Sequence, residues 1–207
     1  MSRPTLYLIR HGETAWSLTG RHTGSTDIPL TAHGEAMAHG LAGLLDPVPF
    51  AAIFSSPRAR ARQTCLLATH GAKAIIEPDL AEWSYGDYEG MLLSEIWQSN
   101  PGWSIWRDRC PGGETLADVV GRADRLLERL QSLSGAIALF SHGQLGCILA
   151  ARWAGLPGGV GEHLELNPAS LSILGWKSDH PGVPVIARWN LVPTGRLHAP
   201  EMSAPPV

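Results

Sequence analysis

The sequence predicts a single α/β domain, a three-layer sandwich with a mostly parallel sheet and helices on both faces. Strand-like apolar runs alternate with helical patterns along the chain, which is typical of layered α/β proteins. The chain has 207 residues and is 44% hydrophobic, enough for one substantial core. Two of the apolar runs, at 5–9 and 136–140, lead into similar segments that each contain a His-Gly pair.

Local patterns place the first elements. Strands are expected at 5–9, 51–56 and 73–77 because these short runs are apolar and bounded by turn residues. A helix is expected to start at Thr31, an N-cap residue, and to stop at Asp46 before a proline. A second helix, capped by Ser56 and Pro57, is expected to continue to about His70.

The second half of the chain continues the alternation. A short helix is expected at 92–98, and Thr115-x-x-Asp118 resembles a capping box ahead of a clear apolar stripe. A strand ending at Ser141 leads into a helix that Gly155 closes. Two final strands are expected, and their predicted ranges are 170–176 and 185–189.

Composition limits the domain organisation and the partners. We expect one domain over 1–192 and a mobile Pro/Ala-rich tail over 193–207. A net charge of −3 argues against nucleic acid as a partner. No run is apolar for long enough to cross a membrane, and the first ten residues do not resemble a signal peptide. Three widely spaced cysteines fit reduced thiols in the cytoplasm better than disulfides.

The two His-Gly pairs are the strongest functional signal. Arg10-His11-Gly12 follows the first strand, and Ser141-His142-Gly143 follows the fourth. Ligands of open α/β sheets bind outside the carboxyl ends of strands. Two imidazoles and a guanidinium at such an edge predict a pocket for an anion that a histidine attacks, which is phosphoryl-transfer chemistry.

Two further segments could complete this site. Arg58, Arg60 and Arg62 lie at a predicted helix N-terminus, where anions are favoured. Residues two apart on a helix are roughly 200° apart, so either Arg60 or the pair Arg58 and Arg62 faces the pocket. Glu82 lies beside aromatic side chains such as Trp83, and such surroundings would raise its pKa and keep it protonated.

Other catalytic classes lack their motifs. The His and Cys spacings match no zinc site, so no metal and no cofactor are expected. Ser141 is not in a G-x-S-x-G elbow, which argues against a serine hydrolase. No cysteine has an arginine six positions later, and no phosphate-binding P-loop is present. The tryptophan-rich segment 97–106 could be core or pocket wall.

These segments resemble the signatures of the histidine phosphatase superfamily, which includes the cofactor-dependent phosphoglycerate mutases. The similarity covers nearly the whole chain, with the motifs in the same order. It implies that His11 forms a phosphohistidine. It also implies that Arg10, Arg60 and His142 bind the transferring phosphoryl group, and that Glu82 acts as general acid and then base.

The resemblance extends to substrate contacts and to the reaction. Residues that it suggests for binding substrate are Gly12, Ser17, Arg21, His22, Thr23, Gly24, Arg107 and Gly143. Many relatives carry asparagine in the loop where this chain has Ser17. Within a branch that holds sedoheptulose bisphosphatases and related acid phosphatases, Arg21, His22 or Arg107 could hold a second anionic group.

Three functions share this machinery. Mutases of the family carry a longer insertion between the glutamate and the second histidine, whereas only 60 positions separate Glu82 from His142 here. We therefore expect a phosphatase for small phosphomonoesters such as sugar phosphates or sugar bisphosphates. A phosphoglycerate mutase is the first alternative and a non-catalytic phosphate-binding regulatory module the second. The expected partner is a small phosphorylated metabolite, and a homodimer is left open.

Overall fold

The computed structural model of the protein describes residues 3–193. Within these residues the six strands are β1 (Pro4–Arg10), β2 (Phe50–Ser55), β3 (Ile75–Ile76), β4 (Gly135–Ser141), β5 (Leu171–Trp176) and β6 (Pro184–Leu191). The seven α-helices within the same residues are α1 (Ala15–Thr19), α2 (Ala32–Gly40), α3 (Ala42–Leu45), α4 (Ala59–Ala68), α5 (Leu93–Ser99), α6 (Leu116–Gln131) and α7 (Gly143–Trp153). Of the predicted tail at 193–207, residues 194–207 lie outside the described residues.

All six strands form one sheet in the order β3-β2-β4-β1-β5-β6. The first four of these are parallel to one another, while β5 and β6 are antiparallel to their neighbours. Strands β1 and β4 pair without a shift from Pro4 and Gly135 to Arg10 and Ser141. The residues that follow the two strands therefore emerge side by side at one edge of the sheet.

Helices cover both faces of the sheet, as predicted. Alternate residues of β1 point to opposite faces. Leu6 and Leu8 belong to a large buried cluster with α6 and α7, and Ile9 belongs to a second cluster with α2, α3 and α4. The two clusters confirm the three-layer architecture.

The longest helix follows its sequence signals closely. The Thr115 hydroxyl accepts from the Asp118 N–H at 3.2 Å, and the Asp118 carboxylate accepts from the Thr115 N–H at 2.8 Å. The apolar stripe of α6 is buried against the sheet and α7. The predicted capping box is therefore confirmed.

Two other helices differ from the prediction. Thr31 caps α2 as expected, accepting from the Gly34 N–H at 2.9 Å, but the helical stretch is interrupted at Leu41, so α3 is a separate short helix. Helix α4 begins at Ala59 rather than directly after Ser56. Its cap comes from a distant residue, because the Ala59 N–H donates to the Asp27 carboxylate at 2.7 Å.

The remaining differences are small. The two-residue β3 is shorter than its predicted range of 73–77, while β5 and β6 agree with theirs to within two residues. Among residues 3–193, no helix is long and apolar enough to cross a membrane.

Candidate active site

The two predicted histidines meet at the edge of the sheet. The ring centres of His11 and His142 are 5.2 Å apart, and both side chains are buried. The register of β1 against β4 causes this, because each histidine directly follows a paired strand end. The structure thus brings together the two His-Gly pairs, although 131 positions separate them in the chain.

His11 is held as a neutral imidazole with one free nitrogen. Its Nδ1 lies 2.7 Å from the Gly12 carbonyl oxygen. Because a carbonyl only accepts, Nδ1 carries the hydrogen and the lone pair is on Nε2. Burial, and then the positive charges of Arg60 and Arg10, hold the pKa of His11 well below its ordinary value of 6.5. An unprotonated Nε2 is the form that can attack phosphorus.

Arg10 supplies a cation with unused hydrogen-bonding capacity. Its guanidinium is half-buried and donates through one terminal nitrogen to the Leu166 carbonyl. Its buried Nε–H has no partner within the described part of the chain. Burial lowers the pKa of Arg10, against the opposing charge of Glu82, but a guanidinium remains charged in proteins. Because Arg10 lines the cavity, an anion there would lie next to its positive charge.

Of the three arginines at the start of α4, Arg60 is fully buried, while Arg58 is half-buried and Arg62 exposed. Of the two sets that helix geometry separates, Arg60 is the one that points into the protein, and its predicted contact with the phosphoryl group stays a prediction. The exposure of Arg62 fits a solvated charge, and nothing in the structure assigns Arg58 to the cavity.

Arg60 and His142 form a pair behind the cavity. The Arg60 Nε–H donates to His142 Nδ1 at 3.2 Å, so the His142 hydrogen is on Nε2, which lies 2.7 Å from the Ser56 hydroxyl. The other Arg60 N–H groups donate to the carbonyls of Thr23, Gly24 and Thr26. Arg60 therefore holds the loop after α1, and His142 holds Arg60. Neither side chain lines the cavity.

Glu82 occupies the amino end of α7. Its carboxylate accepts from three backbone N–H groups, those of Trp83 at 3.0 Å, Leu145 at 2.9 Å and Gln144 at 3.1 Å. Donors of this kind stabilise the charged form. The three contacts anchor the Glu82 carboxyl to the start of α7 and to its own segment.

A cavity of about 190 Å³ connects these groups, a volume comparable to roughly six water molecules. It is lined by Arg10, His11, Ser17, Gly20, Arg21, His22, Thr23, Glu82, Tyr85 and Gln144. Three of the five predicted catalytic residues and four of the eight predicted substrate-binding residues are in this wall. Ser17 also belongs to the α1 capping box, in which its hydroxyl accepts from the Thr14 N–H at 2.8 Å.

The other four predicted substrate contacts lie outside the wall. An added Cβ on Gly12 would lie 2.4 Å from the Gly34 carbonyl oxygen, so this glycine allows β1 and α2 to pack closely. Gly143 gives room to Arg10, whose Cζ would be 3.4 Å from an added Cβ. The N–H of Gly24 donates to the Glu89 carboxylate at 3.1 Å. Arg107 forms an exposed ion pair with Glu162 at 2.9 Å.

Sequence reasoning missed two cavity residues with polar side chains, Tyr85 and Gln144. Both had a signal, since Gln144 follows the second His-Gly pair and Tyr85 lies three positions after Glu82. Burial, and then the charge of Glu82, raises the pKa of Tyr85 well above its ordinary value, so its phenol stays a donor. Trp103 is buried behind His22, with ring centres 5.5 Å apart, and is core rather than pocket wall.

The three cysteine thiols do not compete with His11 as nucleophiles. Burial raises the pKa of Cys65 to about 11 and the pKa values of Cys110 and Cys147 to about 12, so all three thiols stay protonated. Within residues 3–193, no group of three His, Cys, Asp or Glu side chains could hold a metal ion.

The two buried histidines predict a loss of stability in acid. Burial is also the main cause that holds the pKa of His142 well below 6.5, so both rings stay neutral in the folded state and protonate near pH 6.5 when unfolded. The full free energy of unfolding is therefore present above pH 6.5. Below that pH, each of the two histidines lowers it by about 1.4 kcal/mol per pH unit. Urea titrations at several pH values between 6.5 and 5 give the free energy of unfolding at each pH, and this energy should fall less steeply with pH in His142→Asn than in the wild type. An equally steep fall would contradict the assignment. His33→Asn replaces an exposed histidine and is the control, for which the fall should match the wild type.

The fold and the site together define a class: an α/β enzyme with a neutral buried imidazole, a guanidinium and a carboxylate around one small cavity. Residues 6–191 match the histidine phosphatase superfamily (branch 1). The chain belongs to this superfamily.

Individual relatives agree with that assignment. The chain is 40% identical over 181 residues to an acid phosphatase of Mycobacterium tuberculosis, covering 83% of this chain and 86% of the relative. It is 36% identical over 185 residues to the sedoheptulose 1,7-bisphosphatase of Saccharomyces cerevisiae, covering 74% of this chain and 68% of the relative. The solved structure of the open reading frame Rv3214 of M. tuberculosis has a TM-score of 0.84 and 36% identity, covering 92% of this chain and 98% of that structure. Probable phosphoglycerate mutases are also related, at 30% to 32% identity.

Proposed function

We propose that this protein is a phosphatase that hydrolyses small phosphomonoesters through a phosphohistidine on His11. One observation carries the proposal: His11 has an unprotonated Nε2 in the wall of a cavity that Arg10 and Glu82 also line. Nucleophile, cation and proton carrier are therefore in one place. The superfamily and the phosphatases among the relatives support the same reaction type.

In the first step, the lone pair of His11 Nε2 forms a bond to phosphorus while the bond from phosphorus to the ester oxygen breaks. The leaving alkoxide takes a proton from Glu82. A phosphate monoester still carries one proton below a pH of about 6, so the substrate can bring this proton to the carboxylate. Arg10 stabilises the charge on the phosphoryl oxygens as the bonds change.

In the second step, water attacks phosphorus and the bond between phosphorus and nitrogen breaks. Glu82, now ionised, accepts a proton from the water, and His11 returns to its neutral state. Arg60 holds the loop after α1 in the present structure, and His142 accepts from Arg60. Their proposed contact with the phosphoryl group requires Arg60 to exchange a carbonyl partner for a phosphoryl oxygen.

Trapping tests the proposal directly. Acid-free rapid quenching with a generic aryl phosphate should give one phosphoryl group per chain, located on His11 by peptide mass spectrometry. A regulatory binding module would bind phosphate without labelling or turnover. A phosphoglycerate mutase would be labelled by 2,3-bisphosphoglycerate and would interconvert phosphoglycerates faster than it releases phosphate. No label on His11 would contradict the phosphatase proposal.

For the substrate, we propose a sugar phosphate or sugar bisphosphate. Arg21 and His22 line the cavity together with the proposed phosphoryl site. The His22 Nδ1–H donates to the Met91 carbonyl at 2.9 Å, which leaves its Nε2 to accept a hydrogen bond from a sugar hydroxyl. A relative named sedoheptulose 1,7-bisphosphatase supports a substrate with two anionic groups.

Substitution of Arg21 should separate bisphosphates from monophosphates. A lost hydrogen bond to a charged group costs about 1.5–3 kcal/mol, so Arg21→Ala should lower kcat/KM for a sugar bisphosphate roughly 10- to 100-fold. A sugar monophosphate should change much less. Arg107→Ala is the matched control, since Arg107 is an exposed arginine outside the cavity. Equal losses on both substrates would refute a second-anion subsite at Arg21.

We further propose a cytoplasmic location. The three cysteines are free and buried, which suits a reducing compartment. The proposed partner is the phosphorylated metabolite itself, and the homodimer stays a prediction.

A further inference from the structure

An ion pair outside the cavity joins α6 to the loop before it. Arg122 is a largely buried residue of α6, and its Nε–H donates to Glu114 Oε1 at 2.8 Å. A second guanidinium nitrogen donates to Glu114 Oε2 at 3.1 Å. Two parallel hydrogen bonds of this kind fix both side chains in orientation as well as distance.

Both members of the pair also bind the segment that carries Glu82. The third guanidinium nitrogen of Arg122 donates to the Ala81 carbonyl at 2.6 Å and to the Asp79 carbonyl at 3.0 Å. These contacts hold the backbone immediately before the proposed acid.

Glu114 holds the backbone immediately after it. Its carboxylate accepts from the Ser84 N–H at 2.8 Å, and its own N–H donates to the Ser84 carbonyl at 2.9 Å. Its carbonyl accepts from the Trp83 indole N–H at 2.9 Å. The segment around Glu82 is therefore held on both sides by one ion pair.

We propose that Arg122 and Glu114 are positioning residues for the general acid Glu82. This inference rests on the proposed function. Neither residue lines the cavity, so neither contacts substrate. Proton transfer needs the carboxyl within hydrogen-bond reach of the leaving oxygen, and a misplacement of about 1 Å can cost on the order of 10²-fold in rate. The backbone on both sides of Glu82 must therefore be held in place for its carboxyl to reach the leaving oxygen.

The same helix provides matched controls. Arg125 and Arg129 also pair with the segment before Glu82, through Asp79 at 3.3 Å and 3.1 Å. Their side chains are 62% and 50% exposed, whereas that of Arg122 is 9% exposed. Exposed ion pairs fix geometry weakly, and neither control residue contacts the backbone next to Glu82.

The experiment compares leaving groups. An alkyl phosphate such as glycerol phosphate needs a proton on its leaving oxygen, while p-nitrophenyl phosphate leaves readily without one. For Arg122→Ala, the rate of phosphohistidine formation from glycerol phosphate should fall about 10- to 100-fold, with KM within threefold and little change in that rate for p-nitrophenyl phosphate. Arg122→Lys should restore part of the loss. Arg125→Ala and Arg129→Ala should match the wild type on both substrates.

The outcomes are distinguishable. If Arg122→Ala does not fold, Glu114→Gln keeps an oxygen for the Ser84 N–H while losing the charge pairing, and it should show the same leaving-group difference. Equal losses in the rate of phosphohistidine formation from both substrates, or a lower melting temperature with an unchanged rate, would overturn the positioning role. Phosphohistidine trapping on the wild type reports separately on the proposed function, because it does not depend on Arg122.

Discussion

Replacing His11 by alanine is expected to abolish phosphatase turnover, with a loss on the order of 10⁴- to 10⁶-fold by comparison with other lost nucleophiles. The reason is structural. Among the groups that line the cavity, His11 combines a lone pair with a neutral state, because burial and two guanidinium groups keep its pKa low. The measurement is phosphate release from p-nitrophenyl phosphate, together with quench trapping of the phosphoenzyme.

Two further variants make this test specific. His33→Ala removes an exposed histidine from α2 and should retain wild-type turnover and labelling. His11→Asn preserves a polar side chain of similar length and should fold, yet should be as inactive as His11→Ala. Activity within tenfold of the wild type in either His11 variant would show that another group carries the phosphoryl transfer.

The meeting of the two histidines could be predicted because it depends only on fold class. Each follows an apolar run, and parallel strands present their carboxyl ends at one edge of a sheet. Nothing more is needed to expect proximity of His11 and His142. The register of β1 and β4 then fixes the ring distance, and a register follows from contacts along both strands that a local pattern does not contain.

The helix termini show where local reasoning fails. The sequence suggested that the start of α4 would attract a substrate anion, but the Asp27 carboxylate, 32 positions before Ala59, occupies that N–H. The start of α7 is likewise occupied by Glu82, about 60 positions away. The same physical preference is at work, and the chain supplies its own anions. Contacts over such separations depend on tertiary structure, which periodicity and capping rules do not describe.

The arrangement of Glu82 also changes how its role is understood. Sequence reasoning placed a carboxyl among aromatic side chains and expected it to hold a proton. The structure adds three backbone N–H donors, which hold the carboxyl in a fixed position in the cavity wall. A carboxyl held in this way can pass one proton to the leaving oxygen and later take one from water. The aromatic neighbours still serve to exclude water around the site.

Glu82→Gln is therefore expected to slow hydrolysis of alkyl phosphates by roughly 10²- to 10⁴-fold, the range for loss of general acid–base catalysis. The amide is nearly isosteric but cannot carry the proton. Its NH₂ group would also face an N–H donor, so some loss of stability, about 1–3 kcal/mol, should accompany the change. The measurement is kcat with glycerol phosphate and with p-nitrophenyl phosphate, alongside a urea titration.

The two steps should respond differently. The activated leaving group needs no proton in the first step, so Glu82→Gln should still form phosphohistidine from p-nitrophenyl phosphate. It should then accumulate the intermediate, because the base for the attacking water is missing. Glu77→Gln alters a carboxylate five positions earlier, outside the cavity, and should neither slow turnover nor accumulate label. Equal kcat losses on both substrates without accumulation would assign Glu82 to binding rather than to proton transfer.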